Sequence, residues 1–374
     1  MVYLDYNATT PIDPRVLDRM LPYFTEQFGN AGSALHAYGW AAAEAVKRAR
    51  EHMAALLEAS PEELVFTSGA TESVVLAIKG VAAAYVSKGR HFITVATEHK
   101  AVLEAHQDLA RAGADVTILP VDATGRVAQE DLIRALRPDT ILVSIMWANN
   151  ETGTLQDIPA LYETVRQHGG ALFLTDATQA VGKVPVSVAH ADLLAFSGHK
   201  FYAPKGIGGL YIRRRNPRVT LQPLQSGGGQ ERGLRGGTLN VPGIVGLGAA
   251  AAIIQNEGGT EPGRIRALRD QLASALRASI PDMVIHTPLE SALPNTLNFR
   301  VERIRTADLA KSLHQIALSS GSACSSGLKN PSHVLLAMGL TPAQAASTVR
   351  LSLGRMTTAS DVQTAAGALI RVLR

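Results

Sequence analysis

The stretch L-A-F-S-G-H-K-F-Y-A-P-K-G-I-G-G, residues 194–209, carries an apolar run directly into Ser197, Gly198, His199 and Lys200. It sets a lysine at the carboxyl end of a strand, with a glycine-rich turn behind it. Upstream, A-L-F-L-T-D-A-T-Q (171–179) repeats the form with Asp176, F-T-S-G-A-T-E-S (66–73) with small hydroxyl residues, and I-T-V-A-T-E-H-K (93–100) with His99. Such short, β-rich apolar runs predict strands at 64–67, 92–96, 116–119, 141–146, 171–175, 193–196 and 209–212. Between most of them lie segments such as S-V-V-L-A-I-K-G-V-A-A-A-Y-V, whose apolar residues recur at helical spacing. The alternation predicts an α/β fold: a mostly parallel central sheet with helices on both faces. Functional side chains in such sheets gather beyond the carboxyl ends of the strands.

The chain has 374 residues, more than one core usually holds. The glycine-rich segment 226–238 breaks the alternation, and a new strand candidate appears near 297–300. We therefore expect a large domain over 15–250, a smaller C-terminal α+β domain over 251–374, and a first segment, 1–14, packing with either.

Composition narrows the function classes. With 46% hydrophobic, 18% charged and 5% aromatic residues, the sequence describes a globular protein rather than a disordered or fibrous one. A net charge of +4 is small for this length, and neither an aromatic-interleaved basic stripe nor a zinc-finger spacing is present, so no direct nucleic-acid partner is expected. The Arg213-Arg214-Arg215 run reads as the solvated end of a strand. A single cysteine, Cys324, rules out an intramolecular disulfide. The sequence start lacks a basic and then apolar leader, and the longest apolar run, near 243–254, is shorter than the ~18 residues of a membrane span. A cytoplasmic protein without a membrane partner is expected.

Each strand end has a bland reading beside a chemical one. Lys200 by composition is a surface lysine, but with a hydroxyl and an imidazole before it and glycines after it, it suits a Schiff base with a carbonyl cofactor. Asp176 reads equally as a helix N-cap or as the partner of a protonated pyridine nitrogen, with Gln179 one turn on. The turn at 68–71 reads as a capped turn or as a phosphate cradle of free N–H groups and hydroxyls; the G-x-x-x-x-G-K-[ST] spacing of a P-loop is absent. His99 alone is a packed or capping residue; on the same sheet edge as the others it is a ring that can stack on a planar cofactor. Together the four ends describe a site for pyridoxal 5'-phosphate.

T-S-G-A-T-E-S, T-E-H-K, N-N-E-T-G, D-A-T-Q, S-G-H-K, G-G-G-Q-E-R-G-L-R-G-G-T, S-S-G-S-A-C and R-L-S-L-G-R occur in this order over nearly the whole chain. The set resembles the cysteine desulfurases, fold-type I pyridoxal-phosphate enzymes of the class V aminotransferase group, and its S-S-G-S-A-C form resembles their group I branch. The resemblance implies Lys200 as the Schiff-base lysine, His99 stacked on the ring, Asp176 on the ring nitrogen and Gln179 on the phenolic oxygen. Ala70, Thr71, Ser197 and His199 would hold the phosphate, and Thr238 would reach it from the neighbouring subunit of a homodimer. Asn150 and Arg350 would bind the carboxylate of L-cysteine, with Asn30 close by. Cys324 would be the nucleophile that takes the sulfur as a persulfide, Lys200 the base and His99 a later acid or base. Small, flexible residues around Cys324, with no apolar periodicity, suit a thiol that must travel. The implied partners are an iron-sulfur scaffold or another sulfur-acceptor protein. No resident metal is expected, beyond a transient iron-sulfur cluster on Cys324.

Three stretches depart from the family pattern. Gly29-Asn30-Ala31-Gly32-Ser33 replaces the usual G-N-P-S-S, Trp147 stands where a histidine is common, and Leu328-Lys329-Asn330-Pro331 replaces a more acidic version. Competing readings are a class V aminotransferase or selenocysteine lyase, and a low-turnover dimeric platform for an iron-sulfur scaffold. A dinucleotide-binding fold is disfavoured because no G-x-G-x-x-G follows the first strand.

Overall fold

The computed structural model describes residues 1–319 and 331–374, so Cys324 and the Leu328-Lys329-Asn330 departure lie outside the described residues. Seven strands form the large sheet, in the order Leu64–Thr67, Gly208–Ile212, Leu193–Ser197, Leu172–Asp176, Thr140–Ser144, His91–Val95, Asp115–Leu119. All seven lie at the expected positions, shifted by at most two residues at an end. Gly208–Ile212 runs antiparallel to both neighbours and the remaining pairs are parallel.

Both faces of this sheet are buried, which is why its strands read as continuous apolar runs. Along Leu193–Ser197, Leu194 and Phe196 join one core and Leu193 and Ala195 the other; Phe173 opposes Leu172 and Leu174 in the same way. The first core takes helices Ala37–Leu57, Ile158–His168 and Val241–Glu257, and the second takes Ala70–Ala84 and Lys100–Arg111. Ala37–Leu57 and Val241–Glu257 approach closely because their contact is made of small residues. A Cβ added at Gly248 would lie 2.4 Å from the Cα of Ala49.

A separate core gathers around the antiparallel sheet Thr348–Ser352, Thr296–Arg300, Val284–Ile285, covered by helices Glu261–Ser279 and Ala359–Leu373. The helix Val241–Glu257 runs through residue 250 and packs with the large-sheet core, while the second body's apolar residues resume at Ile265. The first residues join both bodies. Val2–Tyr3 pairs with Ile316–Ala317, and Val2 and Leu4 enter the small core. A few residues on, Thr10 and Asp13 bond to the backbone carbonyls of His199 and Tyr202.

One surface expectation changes. Arg213 is half-buried, with its guanidinium donating to the carbonyls of Val188, Ala189 and Ala191, so only Arg214 and Arg215 form a solvated end. The glycine-rich segment is anchored by Glu231, buried in an ion pair with Arg50 at 2.6 Å and accepting from the Phe66 N–H. Among the described residues no helix is long and apolar enough to cross a membrane.

Candidate active site

A cleft of about 790 Å³ opens at the carboxyl ends of the parallel strands, between the large sheet and the small sheet. It is lined by Ala70, Thr71, His99, Asn150, Asp176, Gln179, Ser197, His199, Lys200 and Arg350, ten of the residues expected from sequence. Asn30 and Thr238 do not line it. Asn30 is exposed and its carboxamide oxygen accepts from the Gly32 N–H at 2.8 Å, closing its own turn.

The turn into helix Ala70–Ala84 is set by two glycines. Gly69 has φ +154°, and a Cβ on Gly208 would lie 2.5 Å from the Phe196 carbonyl oxygen and 2.7 Å from the Cα of Gly69. Only glycine permits that backbone and that approach. The helix has no side-chain cap, and among the described residues the N–H groups of Ala70, Thr71 and Glu72 take no bond from the chain. Glu72 turns its carboxylate aside to the Ser68 N–H at 2.7 Å and to Arg235 at 3.0 Å. Open helix-start donors beside the hydroxyls of Thr71 and Ser197 suit a phosphate.

Asp176 ends strand Leu172–Asp176, one of its oxygens accepting from the Thr178 N–H at 3.0 Å. The bland reading of His99 and the chemical one coexist. His99 is the N-cap of helix Lys100–Arg111, its Nδ1 accepting from the Ala101 N–H, and it also lines the cleft. His199 shares a hydrogen bond with Thr9 at 3.1 Å; burial and the neighbouring Lys200, Lys205 and Lys183 bring its pKa down to about 4. It is a neutral imidazole at neutral pH.

Lys200 donates to the carbonyls of Asn7 at 2.8 Å and Ala8 at 2.7 Å. Across the cleft, Arg350 is 1% exposed, pairs with Asp5 at 2.6 Å and donates to the Asn150 carbonyl at 2.9 Å. At the rim, Glu151 accepts from the Ser332 hydroxyl at 2.5 Å and His333 bonds the Glu98 carbonyl at 2.9 Å. Burial raises the pKa of Glu151 and holds that of Glu98 well above the carboxylate range.

Sequence reasoning missed Asp5, Asn7 and Lys183. Asn7, 1% exposed, is a junction: its carbonyl accepts from Gln179 and Lys200, and its side chain bonds Thr296, Asn295 and the Asn150 carbonyl. The only available signal was a run of polar residues, D-Y-N-A-T-T, in a segment without a strand or helix pattern.

An aminotransferase class-V family model matches residues 2–364. The chain belongs to the class-V aminotransferases, in the cysteine desulfurase group. That family is pyridoxal-phosphate-dependent. The chain is 50% identical over 367 residues to cysteine desulfurase IscS of Neisseria meningitidis serogroup C (strain FAM18), an alignment spanning 98% of this chain and 90% of that relative. A solved NifS-like protein superposes with a TM-score of 0.93 at 40% identity, covering 100% of this chain and 99% of the other. The structure of SspA in complex with cysteine superposes with a TM-score of 0.82 at 39% identity, covering 94% and 99%.

Proposed function

We propose that this enzyme converts L-cysteine to L-alanine and passes the sulfur to Cys324 as a persulfide. The observation that carries the reading is one cleft combining Lys200, Asp176, Gln179 and an open helix start on one wall with a buried arginine on the other. This donor set fits pyridoxal 5'-phosphate. The N–H groups at Ala70 and Thr71, with Ser197 and the neutral His199, would hold the phosphate. Asp176 would face the ring nitrogen, Gln179 the phenolic oxygen and His99 the ring face. When bound, the cofactor supplies an aldehyde that bonds primary amines and a protonated ring that accepts electrons from the adjacent carbon.

The chain's own groups supply the remainder. Arg350 and Asn150 bind the substrate carboxylate, which fixes the amine toward Lys200. Lys200 Nζ moves the proton at the substrate α-carbon. The Cys324 thiolate forms a bond to the substrate sulfur as the carbon–sulfur bond breaks. Cysteine plus the Cys324 thiol thus become alanine plus a Cys324 persulfide, with atoms and electrons balanced.

The resting place of the sulfur is a second protein of the iron-sulfur scaffold or tRNA-thiolating class, in the cytoplasm. Asn30 and Thr238 stand outside their own cleft, which agrees with a homodimer in which Thr238 serves the other subunit. Leu21, Phe24, Phe28, Leu35, Tyr38 and Trp40 are exposed around Asn30, an apolar surface that a second copy would cover.

The test mixes holoenzyme with L-cysteine and a reductant and follows alanine and sulfide for wild type and Cys324→Ala. Equal release of both by the wild type, and loss of both in the variant while its cofactor spectrum still responds to cysteine, is the expected result. Sulfide release by the variant at the wild-type rate would sink the persulfide step. Keto acid instead of alanine would indicate an aminotransferase.

A further inference from the structure

Lys183 is a buried titratable group that the mechanism above does not use. Its Nζ donates to the Gln179 carboxamide oxygen at 2.5 Å, and the Gln179 amino group donates to the Asn7 carbonyl at 2.9 Å. The Asn7 carbonyl only accepts, so the Gln179 amino group must face it, and the Lys183 N–H holds the carboxamide oxygen on the other side. The second N–H of that amino group is then the donor Gln179 can offer to the cleft it lines. Asn7's carbonyl also accepts from Lys200, so Lys183, Gln179, Asn7 and Lys200 form one continuous chain.

The charges around Lys183 come from several elements. Lys183 and Lys200 line a small cavity together with Tyr6, Tyr202 and Glu261, and Arg350 approaches from the small sheet. Burial first, then Lys200 and Arg350, hold the Lys183 pKa well below that of a free lysine. A lysine that merely supported the turn after Asp176 would not need to end on a side chain that reaches both Asn7 and the cleft.

We propose that Lys183 is a positioning residue: by donating to the Gln179 carboxamide oxygen it locks the Gln179 amide with an N–H toward the cofactor's phenolic oxygen. The proposal rests on the assignment of Gln179 to the phenolic oxygen. Its consequence is electrostatic. An N–H donor to the phenolic oxygen would favour loss of the proton that oxygen shares with the Lys200 nitrogen, so loosening that donor raises the pKa of the proton.

The experiment is a pH titration of the bound cofactor's absorbance in holoenzyme, for wild type, Lys183→Met, Gln179→Ala and the double variant, with thermal midpoint and cofactor content measured alongside. Lys183→Met is expected to shift the titration upward by about one pH unit. In the Gln179→Ala background the same substitution is expected to shift it by less than half as much. A Lys183→Met titration that overlays wild type, or one that shifts equally with and without Gln179, overturns the proposal. Should Lys183→Met fail to fold, Lys183→Leu is titrated in its place; an upward shift supports the proposal and no shift overturns it. If the wild type itself has no titrating band that Lys200→Ala removes, the underlying cofactor assignment fails, and that outcome is distinct from a normal band unmoved by Lys183.

Discussion

Lys200 and Arg350 line one cleft, but the chain delivers them in different ways. Lys200 sits in the turn just past strand Leu193–Ser197, where the backbone leaves the sheet. Arg350 is the middle residue of strand Thr348–Ser352, opposite Asn298 in the neighbouring strand. A strand end can present a cation without burying it among strands. A mid-strand cation is enclosed, and a buried charge is tolerated only with a partner. Asp5 is that partner, brought from the far end of the sequence by the pairing of Val2–Tyr3 with Ile316–Ala317. One wall of the cleft is therefore built locally, and the other depends on a long-range ion pair.

The largest effect falls on the local wall. Lys200→Ala is expected to lower single-turnover alanine formation by about 10³-fold, as for loss of a positioned base. If the variant keeps wild-type turnover, Lys200 only ties the Asn7 and Ala8 carbonyls and the comparison collapses.

Asp5→Asn probes the other wall. Removing one partner of a pair whose arginine is 1% exposed is expected to cost about 3 kcal/mol, read as a lower urea midpoint at unchanged slope. The KM for cysteine should rise more than kcat falls, because the loosened guanidinium acts in binding. An unchanged midpoint would mean that Arg350 is held adequately by the Asn150 carbonyl and its own strand.

Glu98→Gln has the smallest effect and sharpens the distinction between an enclosed charge and an enclosed neutral group. Burial first, with Asp176 adding to it, holds the Glu98 carboxyl well above its usual pKa, while the Met146 N–H at 2.5 Å opposes the shift. A raised folded-state pKa means the folded protein binds more protons than the unfolded chain between the two values. Stability from this group is present below the unfolded pKa and lost as pH rises toward the folded one. Glutamine mimics the protonated form, so the variant should lie within about 1 kcal/mol of wild type in acid and gain on it as pH rises. Parallel denaturation curves across pH would show that Glu98 is ionised in the fold.

Six of the seven strands were legible because each is buried on both faces, which leaves an apolar run bounded by turn residues; the edge strand Asp115–Leu119, with Ile118 exposed, was legible from its β-branched residues. The residues just past those runs, Thr71, His99, Asp176, Ser197 and Lys200, were legible for the same reason: the end of a strand is visible in sequence. Asn150 and Arg350 were reached by family resemblance, since nothing local marks an arginine inside an apolar strand as a cleft residue. Asp5 and Asn7 were missed because their partners are hundreds of positions away. Lys183 was missed although it stands one turn from Gln179, because its meaning depends on Asn7 holding the other end of the amide.

By itself, then, the sequence determined the sheet, the strand ends that carry a cofactor's partners, and the family to which the chain belongs, all of which follow from periodicity and motifs within short windows. The tertiary structure alone decided how the first residues bridge the two bodies, which acid neutralises Arg350, which way the Gln179 amide faces, and that Asn30 turns back on its own loop. Those are outcomes of hydrogen-bond pairing and charge burial, and both depend on which distant groups fold into contact.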